Sequence, residues 1–405
     1  MTMVSWHEHG TEHTARWHSE NGSPPPARVD TVDDSVTANA ALRRIRAGTA
    51  LLWRGDYHGA RQLLKAVGRR ADHRALPHRL SIASEFRAHR AERAEHARVL
   101  GGIVVLLEPG HHLALRRAPD VAAACQEAYG DLTEPTLISL TELQGVISAW
   151  QWHQRGVPVP ALGSLIHPRY GVFSPTRSEY VDLVARAPLP TMGTGTPADA
   201  ARTPADATGT SAGGSEETAD GPGLRAMDIG TGTGVLAAVL ARRGIQDVTA
   251  TDLNPRAVAC ARENIERLGL AHQVTVQQAD LFPEGRADLV VCNPPWLPGD
   301  PTSALELGIY DADSGMLGGF LAQLPDHLTP TGEGWLVLSD LAEHLHLRSR
   351  DQLLTMIAAA GLTAVAIDAT PARHSRAEDP HDRLHEARRK EITTLWRLRV
   401  TPCSR

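Results

Sequence analysis

The residues whose types and spacing can do chemistry lie between positions 228 and 296. "MDIGTGTGVLAAVLARRG" carries Gly230, Gly232 and Gly234 where an apolar run gives way to a helical pattern. Open parallel sheets bind ligands beyond the carboxyl ends of their strands, and a glycine turn there lets a ligand approach the backbone closely. The dinucleotide pattern GxGxxG fails, because Val235 stands where its third glycine belongs. A second apolar run, "TATDLNPRAV", ends in Asp252, whose carboxylate can accept both hydroxyls of a bound ribose. Asp228 adjoins the glycine loop, where negative charge favours a cationic amino-acid moiety and opposes a pyrophosphate. Asp280 in "QQADLF" follows a third run and can accept an adenine amino group. Any one acid alone reads as a helix cap or turn. Three at successive strand ends read as a site for S-adenosylmethionine, whose ammonium and sulfonium are both positive.

These groups need strands to hold them. Strands are expected at 224–229, 247–252, 273–278, 287–293, 334–340, 362–368 and 392–400, with helices between the first five and before the sixth. Such alternation means an α/β fold: a doubly wound, mostly parallel seven-stranded sheet, Rossmann-like, covered on both faces. Only a polar loop separates the last two strands, so an antiparallel hairpin is expected to close the sheet.

At 405 residues the chain has room for two domains. Residues 1–34 read as a disordered tail, in which His7, His9, His13 and His18 lack the acidic or cysteine neighbours of a metal site. Residues 35–170 read as a mainly helical N-terminal domain with a role in substrate recognition, containing one strand at 101–110. Within it "WRGDYHGARQLLKA" resembles half of a tetratricopeptide unit, but no second copy follows. Residues 191–223 repeat "TPADA" without an aromatic residue and read as a disordered linker or insertion. The four cysteines are scattered, without CxxC spacing, and the N-terminus lacks the layout of a secretory signal, so a cytoplasmic protein with reduced thiols is expected. A net charge of −6 argues against a surface that binds nucleic acid throughout, yet residues 35–100 hold 14 Arg plus Lys against 5 Asp plus Glu.

The fourth expected strand runs into "VVCNPPW". With "DIGTGTG", "TDLNP" and "QQADLF" in the same order, it resembles the class I S-adenosylmethionine-dependent N-methyltransferases with an Asn-Pro-Pro-aromatic motif. These include release-factor glutamine N5-methyltransferases and the adenine and ribosomal RNA base N-methyltransferases. The resemblance covers 224–405 and implies the cofactor S-adenosylmethionine, bound by Asp228, Gly230, Thr231, Gly232, Gly234, Asp252, Leu253, Asp280, Leu281 and Asn293. It also implies that Asn293, Pro294, Pro295 and Trp296 carry the catalysis. Amide and exocyclic amino nitrogens are poor nucleophiles, their lone pair being delocalised. Acceptance of the two N–H groups by the Asn293 side chain and the Pro294 carbonyl would orient the nitrogen and stabilise its developing charge. The prolines stiffen the turn and Trp296 stacks on the flat acceptor. No metal is required.

"YGVFSPTRSEYVDLVARA" is similar to the segment that covers the cofactor in these families, so 171–190 is expected to border the pocket, with Arg177 and Glu179 as substrate candidates. The arginine-rich stretch and the broad face of Trp296 favour RNA, including ribosomal RNA, as acceptor. A protein glutamine or a small molecule is the alternative.

Overall fold

The computed structural model describes residues 2–71, 81–191, 223–301, 305–373, 378–380 and 382–402. The expected linker therefore lies, apart from its end residues, outside the described residues. Two sheets organise the chain.

The first sheet has six strands: β1 (Met3–Glu8), β2 (Thr11–Trp17), β3 (Arg28–Val32), β4 (Thr49–Trp53), β5 (Ile103–Leu107) and β6 (Thr136–Ser139), in the order β1-β2-β6-β5-β4-β3. Residues 1–34 are thus not a disordered tail. β1 and β2 form a hairpin through His9 and Gly10, both at positive φ (50° and 81°), a turn that matches the strands' own twist. Val4, Trp6 and Ala15 point into a small core, with histidines and charged residues outside. Few apolar residues carry this alternation, which is why the segment reads as polar and irregular.

The N-terminal domain holds the expected helices and, beyond the one expected strand, a buried sheet beneath them. Its helices α1 (Ala38–Arg46), α2 (Tyr57–Ala71), α3 (Ile82–Gly101), α4 (Ala122–Tyr129) and α5 (Leu140–Arg155) pack against a buried sheet. β4 is buried at every residue, and its unbroken apolar run between two amphipathic helices hides a strand from periodicity. β1 and β3, at opposite edges, touch, so the sheet curls towards closure.

A short hairpin, β7 (Val157–Val159) with β8 (Ser164–Ile166), places Val159, Leu162 and Ile166 in the same core as α6 (Ser178–Arg186). The C-terminal unit therefore begins near 157 rather than 171. Pro and Gly in "VPVPALGSLI" make that contribution look like a plain turn.

The second sheet holds β9 (Arg225–Ile229), β10 (Asp247–Asp252), β11 (Val274–Gln278), β12 (Ala287–Cys292), β15 (Leu328–Ser339), β16 (Leu362–Pro371) and β17 (Ile392–Val400); the two-residue strands β13 (Leu297–Pro298) and β14 (Tyr310–Asp311) pair beside it. Its order is β11-β10-β9-β12-β15-β17-β16, parallel except for β17, which runs against both neighbours. All seven expected strands are present, and the fold is the expected doubly wound, mostly parallel α/β sheet. α7 (Val235–Arg242) and α8 (Pro255–Arg267) cover one face together with α6. α9 (Gly315–His327) and α11 (Arg350–Ala359) cover the other, and the short α10 (Leu341–His344) follows β15. The chain winds outward from β9 to β11 and then returns to β12, so β9 and β12 flank the switch point where such sheets open a crevice.

Candidate active site

The glycine loop joins β9 to α7 at that crevice. Gly230, Gly232 and Gly234 have φ of 71°, 56° and 82°, a region costly for residues with a Cβ. The three glycines serve different contacts. A Cβ on Gly232 would meet nothing within 4 Å, so this backbone faces open space. One on Gly234 would lie 3.2 Å from Ala261, where the loop packs on α8. One on Gly230 would lie 2.6 Å from Met316 Cε.

The loop is braced from beneath. The Thr231 amide donates to the Thr251 carbonyl at 2.8 Å. Thr231 Oγ1 and the Ala237 amide both donate to Asp228 Oδ2, at 2.6 and 2.9 Å. Asp228 is only 1% exposed, and burial pushes its carboxyl up to about 6 despite those two bonds. It holds the loop rather than facing its open side, so its charge reaches a ligand through space, and Oδ1 is left with no hydrogen-bond partner.

Asp252 closes the loop from the neighbouring strand. Its Oδ2 accepts the Gly232 amide and its Oδ1 the Asn254 amide, both at 2.9 Å, while burial raises its pKa. Asn254 caps α8 and Pro255 opens it, which stops β10 at this point. Leu253 is 63% exposed beside it, and Asp280 is exposed past the end of β11, the strand paired with β10. Leu281 sits at φ 67° and its carbonyl accepts Thr251 Oγ1 at 2.6 Å. A partly exposed acid, an exposed acid and two leucines around a glycine cradle fit a nucleoside carrying a cationic tail.

Parallel pairing sets Cys292 beside Ile229, so Asn293 and Gly230 follow at adjoining strand ends. Asn293 Oδ1 accepts the Trp296 indole N–H at 2.8 Å. An amide oxygen has two lone pairs, so this bond fixes which end of the Asn293 amide faces outward and leaves one acceptor site free. Pro294 is buried, whereas Asn293, Pro295 and Trp296 are partly exposed. Trp296 packs against both cores of the domain. β13 pairs with β14 immediately after it and pins the turn.

Arg177 comes to the same place. Its guanidinium lies 4.9 Å from the Trp296 ring centre, and Nη1 donates to Glu391 Oε1 at 2.7 Å. Glu391 is 1% exposed and also accepts Ser339 Oγ at 2.7 Å. Glu179 lies 3.9 Å from Arg177, buried, and neither of its oxygens has a hydrogen-bond partner. No side chain caps the start of α6.

Sequence reading missed Glu391, Asp311, Met316 and Arg348. Asp311 accepts the Met316 and Leu317 amides at 3.0 and 3.1 Å and so sets Met316 above Gly230. Arg348, 7% exposed, donates to the Trp296 carbonyl at 3.3 Å, and burial lowers its pKa. Each acts across more than 15 positions of sequence, except Asp311, whose place before a helix was the one local signal.

Residues 217–355 match the family model of the methyltransferase small domain. The release factor glutamine methyltransferase of Cereibacter sphaeroides is 37% identical over 153 residues, covering 36% of this chain and 50% of that protein. The ribosomal protein L11 methyltransferase of Pelotomaculum thermopropionicum is 50% identical over 74 residues, 18% of this chain and 24% of that protein. A SAM-dependent methyltransferase from Thiobacillus denitrificans, solved in complex with S-adenosyl-L-homocysteine, aligns at 19% identity and a TM-score of 0.30, covering 44% of this chain and 85% of that one. The chain thus spans about half the length of the first relative and about a quarter of the second. The C-terminal domain has the class I methyltransferase fold, and its residues 217–355 carry the methyltransferase small-domain pattern.

Proposed function

We propose that the chain is an S-adenosylmethionine-dependent N-methyltransferase that methylates a planar exocyclic amino nitrogen of a nucleobase in RNA. The observation that carries this reading is the turn Asn293–Pro294–Pro295–Trp296 at the tip of β12, one strand from the glycine loop, with Asn293 Oδ1 fixed by Trp296. Gly230, Thr231, Gly232, Gly234, Asp252, Leu253, Asp280 and Leu281 hold the cofactor, and Asp228 supports the loop with its charge beneath. Bound S-adenosylmethionine supplies a methyl carbon activated by the adjoining sulfonium.

The protein's share of the chemistry is positioning and electrostatics. Asn293 Oδ1 and the Pro294 carbonyl accept the two N–H groups of the acceptor, turning the nitrogen lone pair out of its π system towards the methyl group. Trp296, steadied by Arg177 on its ring and Arg348 on its carbonyl, stacks on the acceptor and excludes water. The methylated nitrogen is a strong acid and gives its proton to solvent.

RNA is favoured by α1 and α2, which carry seven Arg or Lys and no Asp or Glu. The second reading, a protein glutamine N5-methyltransferase, is favoured by the identity to the release factor enzyme. Extract incubated with methyl-labelled cofactor and then digested separately with nuclease and protease tests both. Nuclease-sensitive label supports RNA. Label that withstands nuclease but not protease replaces it with the glutamine reading.

A further inference from the structure

Between the two units lies a cleft of about 1180 Å³. That is larger than the roughly 300–1,000 Å³ of most small-ligand pockets, so it has room for several flat groups in a row. Trp17, Trp152, Tyr170 and Phe173 line it, and Trp152 is 50% exposed without a covering element. Arg93 lines it as well, exposed and, among the described residues, without an ion pair. Arg46 stands in sequence between the lining residues Ile45 and Gly48, exposed and, among the described residues, without an ion pair. On α2, Arg61, Lys65 and Arg69 recur at four-residue spacing on an exposed face, and among the described residues none of them forms an ion pair.

The carboxylates near the cleft are already engaged. Glu20 pairs with Arg256 and His18. Glu142 accepts the Glu20 amide and the Tyr129 hydroxyl, both at 3.0 Å. Glu95 pairs with Arg98. Excess positive charge beside exposed and part-exposed aromatic faces suits a strand of phosphates and bases, every residue of which brings a charge and a flat ring together.

The lining of the cleft includes neighbours of the candidate reacting centre. Thr176 lines the cleft, and the next residue, Arg177, lies on Trp296. Ile309 lines it too, and its carbonyl accepts the amide of Leu297, the residue after Trp296, at 3.1 Å.

We propose that this cleft binds a single-stranded segment of the acceptor RNA. Its bases stack on Trp152 and Phe173, its phosphates run along Arg46, Arg93 and the α2 cations, and the target base enters beside Arg177. This rests on the RNA reading above and adds where the strand lies.

The test is fluorescence anisotropy of the full chain with a labelled 12-nucleotide oligouridine and with an RNA duplex of equal length, over a range of salt. Trp152→Ala and the double variant Arg46→Glu/Arg93→Glu are compared with wild type, with cofactor affinity followed in parallel by calorimetry. The wild type binds the single strand more tightly than the duplex. Trp152→Ala weakens it at least fivefold, and the double variant weakens it more than tenfold and flattens the log–log salt slope by about 1.4, two phosphates' share. Cofactor affinity stays unchanged in both. Equal binding by wild type and both variants, with cofactor bound normally, overturns the cleft and leaves the methyltransferase reading standing. Failure of the wild type to bind cofactor overturns that reading instead. Oligouridine bound by neither protein form, with label going to protein in extract, overturns the RNA assignment.

Discussion

Asp228→Asn separates the charge of that residue from its hydrogen bonds. Asp228 Oδ2 accepts both bracing bonds and Oδ1 has no partner, so an asparagine placed with its oxygen at the Oδ2 position keeps both. Only the charge leaves. A carboxyl raised from 3.8 to about 6 in the folded state favours folding while protonated. That contribution is fully present below the unfolded value of 3.8 and is lost as pH rises through about 6. The total loss is on the order of 3 kcal/mol, roughly half of it between pH 5 and pH 8. The uncharged variant lacks this loss. Stability of the C-terminal domain relative to wild type should therefore rise by roughly 1 kcal/mol from pH 5 to pH 8, whatever pH-independent cost the amide adds. Urea titrations at pH 5, 6, 7 and 8, read by hydrogen exchange of peptides covering β9 and β12, measure the difference. A difference flat with pH would refute the buried-charge argument, and a difference that falls with pH would reverse its sign.

Gly232→Ala adds a methyl group facing open space at φ 56°, so its cost to folding is about 1–2 kcal/mol of backbone strain. Its larger effect is on cofactor affinity, expected to fall at least tenfold by calorimetry; unchanged affinity would mean that this face of the loop does not meet the ligand. Trp296→Phe keeps a ring beneath Arg177 and removes the N–H that orients Asn293. A net hydrogen bond of about 0.5–1.5 kcal/mol corresponds to a two- to tenfold fall in kcat, with cofactor Kd unaltered; an unchanged kcat would contradict the orienting role. Arg177→Lys loses the flat group over Trp296 and half of the fork to Glu391, so the acceptor KM should rise more than kcat falls. A drop confined to kcat would contradict this.

Sequence patterning reached furthest where one principle acted alone. The strands of the C-terminal sheet were readable because each is an apolar run closed by a turn residue, and the glycine loop because positive φ demands glycine at fixed spacing. Asp252 and Asn293 followed from their places at strand ends. The N-terminal sheet was not readable for two opposite reasons. In β1 only Val4 and Trp6 mark the buried face, while β4 is buried at every residue and has no period. Asp228 was found, but its orientation was not, since nothing in "MDIGTG" says whether the carboxylate faces a ligand or the helix behind the loop. Glu391 and Arg348 had no local signal. They reach Arg177 and Trp296 only because β17 and the segment before α11 return to the crevice. Arg177 lies in the segment "SPTRSEYV", and the structure sets its guanidinium over the Trp296 ring, a contact that no local pattern announces.

The account depends most on the oxygen acceptor at 293. Asn293→Ala should leave S-adenosylmethionine affinity within about twofold of wild type by calorimetry, while kcat for methyl transfer falls a hundredfold or more, about 2.7 kcal/mol of lost transition-state stabilisation. Turnover equal to wild type at equal cofactor occupancy would contradict it.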